Sequence, residues 1–356
     1  MFRVVLIIGA LRASLVEPEI PMARIHIATP VKSAAPEIPA YFKALFKLTY
    51  PPSFISLYIL ESDSTDDTDT LVRRYLPEAE KRFRMVRYIN SPSHFEAPTD
   101  RHSLDVQLKR RQVLAMARNE LLEMMGLQPE DFVLWLDIDA VGFKPSLIQD
   151  LLAFNRPIVA PHLVWSFKGL TYDRNSWLET NLSSLGSHPS NHSHLFDRID
   201  PNIAYPSHVA HFEGYAKKPT TRLYMDDFRK LLHAQNQAVP LDGVGTACLL
   251  VQGVVHLKGI KFPVHPYKNR VESEGFGLLA KDAGFDSIGL PFYEIKHVSH
   301  QDKPGSKKHG IFWSVSLASG LAIALMACFI FIPTVKIQTR KILKRLSLRA
   351  YEEHLV

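Results

Sequence analysis

Short apolar strand patterns alternate with helical patterns through the first half of the chain. Of all the features of the sequence, this alternation restricts the possible folds the most. Helical patterns occupy residues 36–48 and 104–125. The strand patterns are Arg24–Val31, Phe54–Leu60, Met85–Ile89 and Phe132–Leu136. Strands separated by helices are typical of an α/β domain with a mostly parallel sheet flanked by helices. Ligands bind such sheets at the carboxyl ends of the strands, where we therefore expect the functional site.

An acidic pair follows the most apolar of these strands. Phe132–Leu136 runs directly into Asp137-Ile138-Asp139. Residues i and i+2 of an extended segment point to the same side, so Asp137 and Asp139 can converge on one hard cation such as Mg²⁺ or Mn²⁺. A cation there can bridge to a diphosphate, which favours a nucleotide-sugar transferase. For an isolated D-x-D the alternative is a pair of solvated turn aspartates.

A second acidic pair, Glu61 and Asp63, follows the second predicted strand. Because the carboxyl ends of parallel strands meet at one edge of a sheet, both acidic pairs can contribute to one site.

The net charge of +6 comes mostly from the carboxyl end of the chain. Residues 334–356 hold six basic and two acidic residues, which account for +4 of the total. The rest of the chain is nearly neutral and has no zinc knuckle or basic stripe with interleaved aromatics, so we expect no nucleic-acid partner. Two cysteines exclude a disulfide framework and a cysteine-based metal site.

Residues 311–333 form an uncharged apolar run of 23 residues, long enough to cross a bilayer as a helix. A polar linker at 301–310 precedes this run, and the basic tail 334–356 follows it. The positive-inside tendency places the tail in the cytosol and the main domain, residues 22–300, in the lumen. Residues 1–21 contain a short apolar stretch that is a weak candidate for an export signal. The alternative is a tail-anchored protein whose main domain lies in the cytosol.

Several segments together resemble the fungal mannan polymerase family (Anp, Mnn and Van types), which are Golgi α-1,6-mannosyltransferases. Their order and spacing span roughly Arg24 to His297. The segments are Arg118-Asn119, Leu134–Asp139, Pro145–Leu151, Ile158–Pro161, Tyr172–Trp177, Leu241–Gly245, Glu272–Gly277, and Gly289–Pro291 leading to His297.

The resemblance implies a GT-A-type, Rossmann-like glycosyltransferase domain that uses GDP-mannose and Mn²⁺ (or Mg²⁺) and retains the anomeric configuration. By position, Asp137, Asp139 and His297 correspond to the metal ligands, with Asp137 also contacting the diphosphate. The remaining donor contacts it implies are Arg110, Arg111 and Arg118 for the diphosphate, and Glu61 and Asp63 for the nucleoside.

The same resemblance places Asp173 and Asn175 at the mannose or the acceptor, and Asp242 at a sugar or acceptor hydroxyl. Glu272 and Glu274 either serve the site or cap a helix. It also implies an N-glycan or mannoside acceptor, extension of an α-1,6 mannan backbone, a Golgi or ER membrane location, and a hetero-complex with related subunits.

Three other functions are compatible with the residues. The first alternative is a transferase for a different nucleotide sugar, and the second is a non-catalytic subunit of a mannosyltransferase complex. The third is a phosphohydrolase that holds metals with its carboxylates. The phosphohydrolase is disfavoured because the sequence lacks further clustered His and Asp ligands.

Overall fold

The first four predicted strands are real strands, each within one residue of its predicted bounds. In the computed structural model the described residues are 22–93, 104–166, 171–179, 222–232, 237–270 and 272–298. All of them lie in a unit formed by residues 1–303, and residues 304–356 form a separate unit. The strands of the described part are β1 (Ile25–Val31), β2 (Ile55–Glu61), β3 (Met85–Asn90), β4 (Phe132–Leu136), β5 (Ala140–Gly142), β6 (Ile158–Trp165), β7 (Trp177–Glu179), β8 (Arg222–Tyr224), β9 (Val239–Leu241), β10 (Cys248–Gln252) and β11 (Ser287–His297).

The helices lie between and after these strands. They are α1 (Ile38–Leu45), α2 (Thr68–Arg82), α3 (Leu104–Glu123), α4 (Leu147–Leu152), α5 (Met225–Leu231), α6 (Gly253–Leu257) and α7 (Glu272–Asp282). Among the described helices none is long and apolar enough to cross a membrane. The predicted span at 311–333 and the segments 1–21, 301–310 and 334–356 lie outside the described residues.

The main sheet is mixed, so the prediction of a mostly parallel sheet is wrong. Its order is β3-β2-β1-β4-β10-β6-β11-β5, with β9 also paired to β11. Strands β3, β2, β1 and β4 are mutually parallel, whereas β10 is antiparallel to both β4 and β6. The apolar pattern of a strand reports which faces are buried and carries no information on strand direction, so the reversal at β10 was not visible in the sequence.

Alternate residues of the sheet enter two separate hydrophobic clusters. In β4, Leu134 and Leu136 belong to one cluster, and Val133 and Trp135 belong to the other. The period of two expected for a strand therefore continues through a strand that is buried on both faces. Trp135 packs edge-on against Phe262, with ring centroids 4.9 Å apart. This burial fixes the end of β4 and hence the position of the acidic turn that follows it.

That turn connects two parts of the sheet. The amide of Asp137 donates to the carbonyl of Ala247, just before β10, at 2.8 Å. Two residues later, the carbonyl of Asp139 accepts from the amide of Val298, just after β11, at 2.9 Å. The turn is thus held on both sides, which gives its two carboxylates fixed positions.

A small second sheet, β7 paired with β8, is joined to the main unit through Trp177 and Gly243. The two residues exchange backbone hydrogen bonds of 3.1 Å in both directions. A Cβ on Gly243 would lie 2.3 Å from Cε2 of the Trp177 ring. The guanidinium of Arg222 also packs on this ring, 3.5 Å from the ring centroid. Trp177 is 1% exposed, so its ring can move only if its neighbours also shift.

Substitution Gly243→Ala is therefore expected to lower the free energy of unfolding by about 1–3 kcal/mol, the usual cost of overpacking. Urea unfolding of the purified chain measures this loss. Gly126→Ala is the matched control, because a Cβ there meets no atom within 4 Å. Equal unfolding midpoints for the two variants would show that the Trp177 contact imposes no such constraint.

Candidate functional site

Asp137 is the first carboxylate of the acidic turn and is held by an arginine from α3. Its Oδ1 accepts a hydrogen bond from Nη2 of Arg118 at 3.1 Å, and about 32% of its side chain is exposed. Desolvation raises the pKa of Asp137 to about 6, and the carboxylates of Asp139 and Glu272 add to the rise while Arg118 opposes it. The charged form of Asp137 is therefore disfavoured mainly by burial and to a lesser degree by the neighbouring acids.

Asp139 lies next to the imidazole of His297, from the end of β11. Oδ2 of Asp139 is 2.8 Å from Nε2 of His297, which is 3% exposed. Despite this short distance, neither ring nitrogen has a partner in hydrogen-bond geometry within the described part of the chain. The ring also stacks on Tyr172, with centroids 3.5 Å apart. Buried imidazole nitrogens without partners are unusual, and they suit a ring that receives another ligand.

Three charged groups behind the turn form a buried ion network. Arg111 and Arg118 are seven residues apart on α3 and hence on the same face of the helix. Both pair with Glu272 at the start of α7, Arg111 through Nη1 at 2.8 Å. The hydroxyl of Thr246 also donates to this carboxylate at 3.1 Å. Burial raises the pKa of Glu272, but the two guanidinium groups outweigh burial and bring it down to about 2.

Glu272 is fully buried and has a φ of +49°, in the left-handed region that non-glycine residues seldom occupy. Of the two roles left open by the sequence, this geometry places the side chain in the site network. Arg118 is 2% exposed and is shared between Glu272 and Asp137. The Arg118 guanidinium is therefore less accessible to a diphosphate than the guanidinium groups of Arg110 and Arg111, which are partly exposed.

Asp173 approaches the same turn from the segment after β6. Its Oδ1 accepts from the amide of Asn175 at 2.8 Å, and burial raises its pKa. A Cβ on Gly245 would lie 1.8 Å from Oδ2 of Asp173, so glycine is needed at 245 for the carboxylate to occupy this position. The carboxylate of Asp173 also contributes to the raised pKa of Asp137.

Asp242 is engaged elsewhere. One carboxylate oxygen forms an ion pair with Lys281 of α7, and the other accepts from the amide of Glu179 at 2.9 Å. Only 5% of the residue is exposed. Asp242 thus ties α7 to β7 through both of its carboxylate oxygens.

Glu61 and Asp63 lie at the carboxyl end of β2, two strands from β4 and therefore about 10 Å across the sheet from the acidic turn. Glu61 accepts hydrogen bonds from the amide of Ser64 at 2.7 Å and from the side chain of Asn90 at 2.6 Å. Asp63 accepts from both the amide and the hydroxyl of Ser93, and the hydroxyl bond is the first cause of its lowered pKa. These contacts shape the edge of the site, with Asp63 the more exposed of the pair.

The structure therefore brings together Asp137, Asp139, Asp173, His297 and the arginines of α3, whereas Asp242 is paired with Lys281. Sequence reasoning missed Tyr172, whose ring covers His297 and whose pKa is raised by burial and by the nearby carboxylates. The available signal was its place beside Asp173 in the Tyr172–Trp177 segment. Within the described ranges, no group of three or more His, Cys, Asp or Glu side chains is arranged to hold a metal ion.

Comparisons with known proteins place the chain in a family. The Anp1 family model matches residues 19–266. The mannan polymerase complex subunit mnn9 of Schizosaccharomyces pombe is 34% identical over 76% of this chain and 79% of its own length. The mannan polymerase II complex anp1 subunit of the same yeast is 29% identical over 78% of this chain and only 64% of its own. The chain thus spans less than two thirds of that relative.

A solved structure of the mannosyltransferase PcManGT from Pyrobaculum calidifontis, in complex with GDP-Man and Mn²⁺, aligns with 78% of this chain and 58% of its own. The sequence identity is 13% and the TM-score is 0.42, and these values are too low to support an inference about function. The family match, which covers well over half of the chain, is sufficient on its own. This chain is a member of the Anp1 family.

Proposed function

We propose that this protein is a GT-A-type glycosyltransferase that moves mannose from GDP-mannose to a mannoside or N-glycan acceptor with retention of configuration. Extension of an α-1,6 mannan backbone is the specific reaction we infer. Its support is the Anp1 family membership together with the names of the relatives, which are mannan polymerase complex subunits. The observation that carries the proposal is the pairing of Asp139 with an imidazole whose nitrogens lack hydrogen-bond partners in the described part of the chain.

The donor set fits a divalent cation such as Mn²⁺ or Mg²⁺. Asp139 and His297 would hold the ion, with Asp137 beside them, and carboxylate plus imidazole is a suitable ligand set. The described residues hold no preformed cluster of three such ligands. A cation at a diphosphate, however, commonly uses one or two protein carboxylates and completes its shell with phosphate oxygens and water. When bound, the ion supplies Lewis-acid chemistry that neutralises charge on the departing diphosphate.

The arginines of α3 provide positive charge on the protein side. A guanidinium can pair with two phosphate oxygens, and the partly exposed Arg110 and Arg111 are the groups placed for this contact. Arg118 instead holds Asp137 from behind, and Glu272 fixes the Arg118 guanidinium. Pre-oriented charges of this kind stabilise a transition state without having to reorganise during the reaction.

The acceptor hydroxyl would attack the anomeric carbon on the face that the diphosphate leaves, and the leaving phosphate oxygen would take the hydroxyl proton. We assign to Asp173 a contact with a sugar hydroxyl, because its carboxylate lies close enough to Asp137 to affect that residue's pKa. Asp242 is assigned no contact with substrate, because Lys281 and Glu179 already engage both of its oxygens.

A second candidate function is a non-catalytic subunit within a mannosyltransferase complex. It is favoured by the relatives, which are named as subunits of mannan polymerase complexes. A third candidate is a transferase that uses a different nucleotide sugar.

We also propose that the chain is anchored in a Golgi or ER membrane through residues 311–333, with residues 22–300 in the lumen. The basis is the uncharged run and the basic tail that follows it. Alkaline carbonate extraction of the full chain, compared with a chain lacking 311–333, tests the anchor. Release of both chains into the supernatant would reject it.

Transfer assays with the purified full chain separate the candidate functions. Radiolabelled GDP-mannose and a UDP-sugar are offered with an α-mannoside acceptor, in Mn²⁺ and in chelator. We expect transfer from GDP-mannose only, and only with the cation. Transfer from the UDP-sugar instead would replace the donor assignment. Cation-dependent GDP binding without transfer would indicate that a partner subunit is required, and absence of both would favour the non-catalytic subunit.

A further inference from the structure

A cavity of about 300 Å³ lies at the amino edge of the main sheet, at the opposite ends of β1, β2 and β3 from the acidic turn. None of the residues assigned to the proposed transfer reaction contributes to it. The lining residues are Arg24, His26, Tyr58, Arg84, Met85 and Gly126.

Two hydrogen-bonded side chains form the floor of this cavity. His26 and Tyr58 come from adjacent strands, and their rings stack with centroids 5.6 Å apart. Nδ1 of His26 is 3.3 Å from the hydroxyl of Tyr58, and Nε2 is 3.2 Å from Oδ2 of Asp131. An ionised carboxylate can only accept, so Nε2 carries a proton. In neutral His26 the other nitrogen then accepts from the Tyr58 hydroxyl.

Two guanidinium groups line the mouth. Arg24 and Arg84 are exposed, and neither forms an ion pair with a carboxylate in the part of the chain that the structure describes. Both act on His26, whose pKa is lowered first by burial and then by these arginines, against the effect of Asp131. The groups that face His26 are thus Asp131, Tyr58, Arg24 and Arg84. Two of them, Arg24 and Arg84, are positively charged and lie at the mouth of the cavity.

We propose that this cavity binds a small organic molecule bearing one phosphate or carboxylate group. The anion lies between Arg24 and Arg84, because guanidinium groups form paired hydrogen bonds with both kinds of oxyanion. The volume of about 300 Å³ is at the lower end for small-molecule pockets and exceeds what a bare inorganic ion fills. The partly exposed Met85 side chain offers an apolar contact to the rest of the ligand.

Anion binding at this position also changes the protonation of the floor. A bound anion offsets the two guanidinium charges that disfavour the imidazolium form of His26. Protonated Nδ1 then donates to the Tyr58 oxygen, 3.3 Å away. Binding is therefore accompanied by proton uptake, which a purely structural His26–Asp131 pair would not show.

Calorimetric titration of the full chain with phenyl phosphate tests the proposal, with benzoate as the carboxylate probe and phenol as the uncharged one. We expect binding of at least one anionic probe, none of phenol, and at least about tenfold weaker binding in Arg24→Ala and in Arg84→Ala. Arg74→Ala is the matched control, because it removes an exposed arginine of α2 outside the cavity. Repeating the titration near pH 7 in buffers of different ionisation enthalpy measures proton uptake, which Tyr58→Phe is expected to reduce.

Absence of binding by both anionic probes at millimolar concentration would overturn the site. Binding that is equally strong in Arg24→Ala, Arg84→Ala and the control would place the anion elsewhere and also overturn it. Binding without proton uptake would reject the role given to His26 and Tyr58. None of these outcomes depends on the transfer reaction, because the readout is binding at the opposite edge of the sheet.

Discussion

Replacing Asp139 with asparagine is expected to lower kcat/KM for mannose transfer by about 10²–10³-fold, equivalent to roughly 3–4 kcal/mol of transition-state stabilisation. Asparagine keeps the size of the side chain but removes the negative charge beside His297, 2.8 Å away. A neutral amide is a poor ligand for a hard cation, so the cation-dependent affinity for GDP should fall by at least about tenfold. Initial-rate kinetics and GDP titration in Mn²⁺ measure the two effects.

The fold is expected to survive this change. About 30% of the Asp139 side chain is exposed, and substitutions at such positions usually alter stability by less than about 0.5 kcal/mol. Asp286→Asn is the matched control, because Asp286 is exposed near the start of β11. Retention of both transfer and GDP affinity in Asp139→Asn would remove Asp139 from the proposed site. Loss of GDP affinity in the control as well would show that the assay reports a general effect of charge.

The largest effect on stability is expected at Glu272. Substitution Glu272→Gln leaves Arg111 and the 2% exposed Arg118 without their shared counter-charge. Removing one partner of a buried ion pair commonly costs about 3–5 kcal/mol, and we expect a loss near the lower end because Asp137 still pairs with Arg118. Urea unfolding at pH 7 measures the loss, and Glu130→Gln serves as the control because Glu130 is exposed to solvent. A loss equal to that of the control would mean that the network contributes little to folding.

The pH dependence provides an independent check on the same carboxylate. The pKa of Glu272 falls from its ordinary 4.5 to about 2 in the folded protein. A folded pKa below the unfolded one stabilises the protein above the unfolded pKa, and this stabilisation is lost as pH falls toward the folded pKa. The shift corresponds to about 3 kcal/mol, close to the mutational estimate. The stability difference between the wild type and Glu272→Gln should be constant from pH 8 to 5 and should narrow below about pH 4.5.

Local patterns were sufficient for the elements that carry the site. Short apolar runs that end at polar residues predicted β1, β2, β3 and β4, because buried strands are short and bounded by turns. The acidic pair after β4 followed from the same pattern, since the polar residues begin where the apolar strand ends. The seven-residue spacing that places Arg111 and Arg118 on one face of α3 is likewise a property of the helix alone.

Partners distant in the chain were decided by the tertiary structure. Glu272 pairs with Arg111, 161 positions earlier, and no local pattern distinguishes this role from an ordinary helix start. The antiparallel entry of β10 between β4 and β6 and the use of Asp242 to hold Lys281 have the same origin. Backbone periodicity depends on residues that are near neighbours in the chain. Local sequence is therefore enough to predict which segments are strands or helices and where their polar ends lie. The tertiary structure decided strand direction and the partner of each charge, because these depend on contacts between residues that only the packed fold brings together.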